Sequence, residues 1–353
     1  MSPRVAYWTS AFEPEMEAVA AEVALLRRRF PASIAWGLSR RHWARMSWRR
    51  GYCVHPRLHL VFRAATRVLE PMFDLNHIFG SLGDWFYLHR ARNRPTVLTV
   101  ATHTSQVHPS WLDNVDRFVA EYPEARATLQ RLGGERKRID LIFPPVDLER
   151  FRPAPAPEGP FTVLFASSPD EEGWLAARGV PLILEAAALR PAVRFRLLWR
   201  PWGNSARCVR RWLAEREQPN VELVVERCAD MPARYRQAHV TIAPFTEKDR
   251  SKPAPNSLVE SLASGRPVLT SEVVGLADVV RDGLAGLVSP ADGPALAECL
   301  DRLKAEWAFY ARNARRLAER WFGADQFLRA YEQVYEEVLD RSARTPLLVP
   351  ALL

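Results

Sequence analysis

Lys252-Pro-Ala-Pro-Asn-Ser-Leu-Val-Glu-Ser-Leu-Ala-Ser-Gly-Arg-Pro-Val-Leu-Thr270 reads as a loop with two prolines, a helix entered at Asn256-Ser257, a stop at Gly265-Arg-Pro and a strand. Proline lacks an N–H and suits the approach to a helix, while glycine accepts the left-handed conformation in which helices end. The first turn leaves the backbone N–H groups of Asn256, Ser257 and Leu258 at the positive end of the helix dipole, a ready seat for a diphosphate. Glu260, within reach of that seat, is placed to accept hydrogen bonds from a ribose diol. The same pattern also describes a capped helix–strand unit with no ligand, in which Glu260 is an ordinary N-terminal acid.

Outward from this stretch the chain alternates short apolar runs with helical ones. The second half carries Phe161–Ala166, Val180–Leu189, Val193–Leu198, Arg207–Glu217, Val221–Val225, Val240–Ala243, Ser257–Ser264 and Pro267–Thr270. The first half shows the same texture through Arg4–Trp8, Glu15–Arg29, Ser33–Trp36, Leu60–Leu69, Asn76–Phe79, Trp85–Arg90 and Thr96–Val100. Alternation of this kind favours parallel sheets covered by helices, with chemistry carried on the loops at the strand ends. Phe151–Pro160 holds four prolines and a glycine, which suits an extended hinge. The expected organisation is therefore an α/β domain over 1–153, a hinge at 154–160, a second α/β domain over 161–322 and a C-terminal helix and tail over 323–353. Ala324–Leu339 repeats apolar residues at three and four, the mark of that amphipathic helix.

Composition narrows the class. With 353 residues, 48% hydrophobic and 25% charged, the chain is ordinary globular protein of two-domain length, neither disordered nor collagen-like. No apolar run approaches the roughly 20 residues of a membrane span, and Val5–Trp8 is too short for a secretory signal, so a cytoplasmic location is expected. Cys53, Cys208, Cys228 and Cys299 form no CxxC pair and read as reduced thiols, with no metal-binding spacing among them. The net charge of +8 is concentrated: Arg27–Leu69 holds eleven arginines and no acid, leaving the remainder net negative. One basic patch is expected, not a nucleic-acid-coating surface.

The 252–270 stretch resembles the donor-site motif of GT-B glycosyltransferases of family 4, in which a glutamate opens a helix ending Ala-x-Gly-x-Pro-Val. The resemblance continues through Ser271-Glu-Val-Val-Gly275 and Val280-Arg-Asp-Gly-Leu-Ala-Gly-Leu-Val-Ser-Pro290. It also covers Lys137-Arg-Ile-Asp-Leu-Ile-Phe-Pro-Pro-Val-Asp-Leu-Glu-Arg-Phe-Arg-Pro153, similar to the family's lead-in to the hinge. It implies a GT-B fold, two Rossmann-like domains with a cleft between them and a C-terminal helix crossing back. The implied activity is retaining transfer of a hexose from a nucleotide diphosphate sugar to a glycan or lipid-linked acceptor, with no cofactor and no bound metal. Glu260, Asn256, Ser257 and Leu258 then bind the nucleotide sugar. His103, in Val100-Ala-Thr-His-Thr-Ser105, matches the histidine beside the reacting carbon, and His77 is a second candidate to line or support the cleft.

The departures from the family pattern also carry information. Lys252 stands where the family has a second acid facing the donor sugar. Phe165-Ala-Ser-Ser168 lacks the usual arginine of the diphosphate clamp, and Arg178-Gly179 stands where Lys-Gly is usual. Arg178, Arg200 and Lys252 are the expected sources of positive charge on the leaving diphosphate. Finally, Arg40-Arg-His-Trp-Ala-Arg-Met-Ser-Trp-Arg-Arg50 would put Arg41, Arg45 and Arg49 on one helical face with Trp43 and Trp48 beside them, suited to an anionic membrane surface. Two other readings stand beside this one: a non-catalytic relative that only binds a nucleotide sugar or glycan, and, less favoured by the charge balance, a nucleic-acid-binding module built on the basic segment.

Overall fold

The computed structural model describes residues 2–15, 17–39, 51–81, 94–103, 112–113, 115–132, 137–250 and 252–344. The chain forms two compact units, one made of Met1–Ile142 with Asp325–Leu353 and the other of Phe143–Ala324. The proline-rich 151–160 stretch, without helix or strand, belongs to the second unit.

In the first unit, β1 (Val5–Trp8), β2 (Ile34–Leu38), β3 (Tyr52–Val54), β4 (Leu75–Gly80), β5 (Thr96–Val100), β6 (Arg117–Ala120) and β7 (Ile139–Leu141) form one parallel sheet in the order β3-β2-β1-β4-β5-β6-β7. All four residues of β1 are buried, as expected of a strand covered on both faces. Alternate side chains feed two cores. Val5, Tyr7, Phe79 and Val97 pack with Val23 and Leu26 of α1 (Ala18–Arg29). Ala6, Trp8, Ile78, Leu98 and Phe118 pack with Phe62 of α2 (His59–Leu69) and with Ala125 and Leu129 of α3 (Pro123–Arg131). Helix α1 starts at Ala18 instead of Glu15, because the Glu17 carboxylate turns back to accept the N–H groups of Phe12 and Glu13, at 2.9 and 3.0 Å.

The second unit carries β8 (Thr162–Phe165), α4 (Val180–Leu189), β9 (Arg194–Trp199), α5 (Ser205–Arg216), β10 (Val221–Val225), α6 (Met231–Arg236), β11 (Val240–Ala243), α7 (Asn256–Ala263), β12 (Val268–Ser271), α8 (Ala277–Asp282) and β13 (Gly286–Ser289). Its parallel sheet runs β10-β9-β8-β11-β12-β13, the doubly wound order whose direction reverses between β8 and β11. Helices α9 (Gly293–Ala305) and α10 (Trp307–Trp321) complete it.

The last helix, α11 (Ala324–Arg344), belongs with the first unit. Its Phe327, Tyr331, Val334, Tyr335 and Val338 are buried in the same core as β1 and α1. The expected elements at Trp85–Arg90 and within 40–50 lie outside the described residues.

Candidate functional site

In open parallel sheets ligands settle beyond the carboxyl ends of the strands where the order reverses. In the second unit those ends are the Ala166–Ser168 loop after β8 and Pro244-Phe245 after β11. Two features shape them. Ser167 and Ser257 share a buried hydroxyl–hydroxyl hydrogen bond of 2.8 Å, tying the β8 loop to the first turn of α7. Gly179, at φ +70°, opens α4 against Pro244, and a Cβ there would lie 1.9 Å from the Pro244 carbonyl oxygen. Only glycine permits this approach, which fixes Arg178 beside the β11 end.

The two arginines expected to meet an anion sit on this edge. Arg178 is half-buried, lies over the Phe245 ring at 5.1 Å and donates from Nε to the Arg250 carbonyl at 2.8 Å. Burial, aided by the positive charge of Arg200, pulls its pKa down to about 10. Arg200 is also half-buried, lies over Trp202 at 4.9 Å, and donates its backbone N–H to Ser168 Oγ at 3.2 Å. Arg178 thus carries a desolvated charge that Arg200 repels and Asp170 offsets in part, and an anion at this edge would relieve it.

Helix α7 begins at Asn256, after Pro255 in an extended conformation. Leu258 is fully buried and its N–H is engaged by the Pro255 carbonyl at 3.0 Å, which takes it out of the set the first turn could offer a ligand and leaves those of Asn256 and Ser257. Glu260, fifth in the helix, is half-buried. Burial pushes its carboxyl up to about 7, opposed by a 2.9 Å hydrogen bond from the Tyr235 hydroxyl and by the charges of Arg200 and Arg150. Tyr235 itself is fully buried, and burial together with the Glu260 charge holds its hydroxyl well above its usual range, so it remains a donor. Arg266, also fully buried, holds the end of α6 in place: it donates to the carbonyls of Tyr235 at 3.3 Å, Arg236 at 3.2 Å and Pro155 at 2.8 Å. Lys252 is half-buried in the loop four residues before α7. Ser167, Tyr235 and Arg266 are members of this constellation that sequence reasoning missed. Asp230, which caps α6 by accepting the Ala233 N–H at 3.0 Å, was a legible signal for that helix, but nothing local ties Tyr235 to Glu260.

In the first unit His103 is half-buried just beyond β5, its Nδ1 3.3 Å from the hydroxyl of Tyr122, which follows the neighbouring β6. Both side chains therefore sit at the carboxyl end of that sheet. His77 does not line a surface. It is fully buried, its Nδ1 2.7 Å from Tyr335 Oη and its Nε2 2.7 Å from Thr99 Oγ1, and burial drives its pKa down to about 3. Arg41, Arg45, Arg49, Trp43 and Trp48 lie outside the described residues. Among the described residues no group of three His, Cys, Asp or Glu side chains is placed to hold a metal, no disulfide forms, and no helix is long and apolar enough to cross a membrane.

Residues 162–306 match the family model of glycosyl transferases group 1. A D-inositol 3-phosphate glycosyltransferase of Thermobispora bispora is 30% identical over 277 residues, 66% of this chain and 59% of that relative. The chain thus spans little more than half of that protein's length, and 42% of the length of a Mycobacterium tuberculosis relative with the same name. Among solved structures, sucrose-phosphate synthase of Thermosynechococcus elongatus superposes with a TM-score of 0.75 at 17% identity over 96% of this chain and 100% of that one. Anabaena HepE in complex with UDP-glucose does so with a TM-score of 0.74 at 12% identity over 95% of this chain and 100% of that one. Two parallel sheets of this order and these likenesses make the fold GT-B.

Proposed function

We propose, from the match of residues 162–306 to the family model of glycosyl transferases group 1, that this chain is a glycosyltransferase whose second unit binds a nucleotide diphosphate sugar. The observation that carries the reading is the meeting, at the reversal point of the second sheet, of two mutually repelling half-buried arginines with the open first turn of α7 and the Glu260 carboxylate. A diphosphate answers the first three of these and a ribose diol the fourth. The UDP-glucose complex of the structurally similar HepE supports a nucleotide-linked hexose as donor.

In this reading Arg178, Arg200 and the N–H groups of Asn256 and Ser257 take up the charge that develops on the leaving diphosphate. Fixed donors of this kind cost no reorganisation at the moment of reaction. Glu260 orients the nucleoside through its ribose. Lys252 faces the donor sugar or its phosphate; an ammonium cannot accept hydrogen bonds from sugar hydroxyls, so it favours a carboxylate-bearing sugar or a phosphate oxygen. The first unit holds a glycan or lipid-linked acceptor, His103 acts beside the reacting carbon, and transfer proceeds with retention. Segment 40–50 would then bring the protein to an anionic membrane surface where such an acceptor resides.

Calorimetry with UDP and steady-state transfer assays with a panel of nucleotide sugars separate these roles. Glu260→Gln is expected to weaken UDP binding by about 1–3 kcal/mol, the scale of a lost charged hydrogen-bond partner. His103→Ala is expected to lower kcat while UDP affinity stays within error. Lys252→Glu should raise activity with a neutral hexose donor if the lysine selects a charged sugar. Unchanged UDP affinity in Glu260→Gln, or full turnover in His103→Ala, overturns the corresponding assignment. UDP-sugar binding without transfer or hydrolysis in the unsubstituted protein would favour the non-catalytic reading that Lys252 raises.

A further inference from the structure

Helix α2 is built inside out for a surface helix of a water-soluble unit. Its core-facing side is small: Phe62, set against Trp8 with ring centroids 5.9 Å apart, and Thr66. The opposite side carries Leu60, Val61, Ala64, Ala65 and Val68, all exposed, with Leu60 at 68%, Val61 at 66% and Val68 at 76% of their full accessibility. Positions 61, 65, 68 and 72 follow one another at helical spacing, so the apolar stripe runs on to Met72, itself 59% exposed. Five of the nine large hydrophobic residues found exposed among the described residues fall between Leu58 and Met72. Scattered exposed aliphatics are ordinary; a contiguous stripe of them marks a surface that is covered in use.

The chemistry around the stripe selects what covers it. Arg57 and Arg67 are exposed at its margin, Arg63 is half-buried beside it, and no acid occurs anywhere between Arg27 and Leu69. The partner must therefore be apolar within and negative at its boundary. A second copy of the same face would set arginines against arginines. The stripe itself is aliphatic, without the Trp or Tyr side chains that anchor most protein interfaces. Aliphatic residues over a helix flanked by arginines match the boundary between acyl chains and phosphate headgroups.

We propose that α2 is a docking surface for a bilayer containing anionic lipid, with the helix lying in the headgroup layer and Leu60, Val61, Ala64 and Val68 turned toward the acyl chains. The inference rests on the described residues of the first unit alone and stands whether or not the chain transfers a sugar.

The test is co-sedimentation of the full chain with vesicles of phosphatidylcholine, with and without phosphatidylglycerol, at low and high salt. The protein is expected to pellet with the phosphatidylglycerol vesicles at low salt and to remain in solution with phosphatidylcholine alone. Val61→Asp combined with Val68→Asp should reduce the bound fraction roughly tenfold or more, with an unchanged melting temperature because both side chains face solvent. Val61→Ser with Val68→Ser gives the same test with a milder change. Failure of the unsubstituted protein to pellet overturns the proposal. Equal binding by the folded valine variants also overturns it and shifts lipid contact elsewhere, to segment 40–50 for instance. A stable dimer by light scattering that the valine variants dissociate overturns it in favour of self-association.

Discussion

Tyr235 and Glu260 form a donor–acceptor pair whose protonation is set by burial. With the Glu260 carboxyl raised from 4.5 in the unfolded chain to about 7 in the fold, the folded protein holds a proton that the unfolded chain has already released across that interval. Stability of the ligand-free protein is therefore expected to fall as pH rises from 4.5 to 7, and Glu260→Gln to flatten that part of a melting-temperature series. UDP affinity should move the other way, rising through pH 7 as the carboxylate ionises. Tyr235→Phe removes the hydrogen bond that opposes the upward shift, so the midpoint of UDP binding measured by calorimetry is expected to move to higher pH. An unmoved midpoint would mean that Tyr235 does no more than fill space. At this scale the sequence was partly legible. Glu260 sits in a local pattern that announces a helix start, and Arg178-Gly179 drew attention only through the resemblance to the family's Lys-Gly pair. Tyr235 and Arg266 act through partners 25 and 31 residues away in the chain, a relation that periodicity cannot carry.

Among the elements, α11 is fastened by a buried polar chain. Tyr7 Oη lies 3.1 Å from Tyr335 Oη, which meets His77 Nδ1; His77 Nε2 meets Thr99 Oγ1, and that hydroxyl lies 2.8 Å from Tyr331 Oη. A neutral imidazole has one donor and one acceptor nitrogen, so it passes the chain's polarity from one tyrosine to the other. Protonation would put a second donor into a site that is fully buried and already satisfied. With a folded pKa of about 3 against 6.5 unfolded, the first unit is expected to lose stability as pH falls from 6.5 toward 3, by up to about 1.4 kcal/mol per pH unit. His77→Gln should show a shallower acid slope in chemical denaturation between pH 7 and 5. An equal slope would place the acid sensitivity elsewhere. Elements with apolar runs, such as β1, β8 and β11, were readable directly. The β6 strand was not, because it opens with Arg117, a charge that a central strand normally excludes. Its guanidinium is buried against Asp140 of β7 and Glu337 of α11, 3.0 Å away in the latter case. A strand whose first residue depends on a helix more than 200 positions later has no local signature.

For the whole molecule, the two sheets share one winding order; the strand–helix alternation in the sequence was enough to expect parallel sheets covered by helices, and two Rossmann-like domains followed only from the family resemblance. The division of the chain was less legible. Proline content drew attention to 154–160, whereas the contacts divide the chain after Ile142 and again after Ala324. Proline richness reports local stiffness, and compactness depends on which side chains meet. Ending the chain after Ala324 would strip Phe327, Tyr331, Val334, Tyr335 and Val338 from the first core while leaving residues 143–324 intact. Such a truncation is expected to retain UDP binding and to lose hydrogen-exchange protection across β1, β4 and β5. Protection that survived there would show that the helix is dispensable.

The helix also sets an order of events during synthesis. Folding during translation ordinarily favours whichever part emerges first, yet the part that emerges first here waits for the residues after Ala324 to supply one wall of its interior. The later-starting unit has all its residues before the earlier one does. A chain whose synthesis stops just after Ala324 therefore carries every residue of the second unit while the core of the first still lacks the wall that α11 supplies.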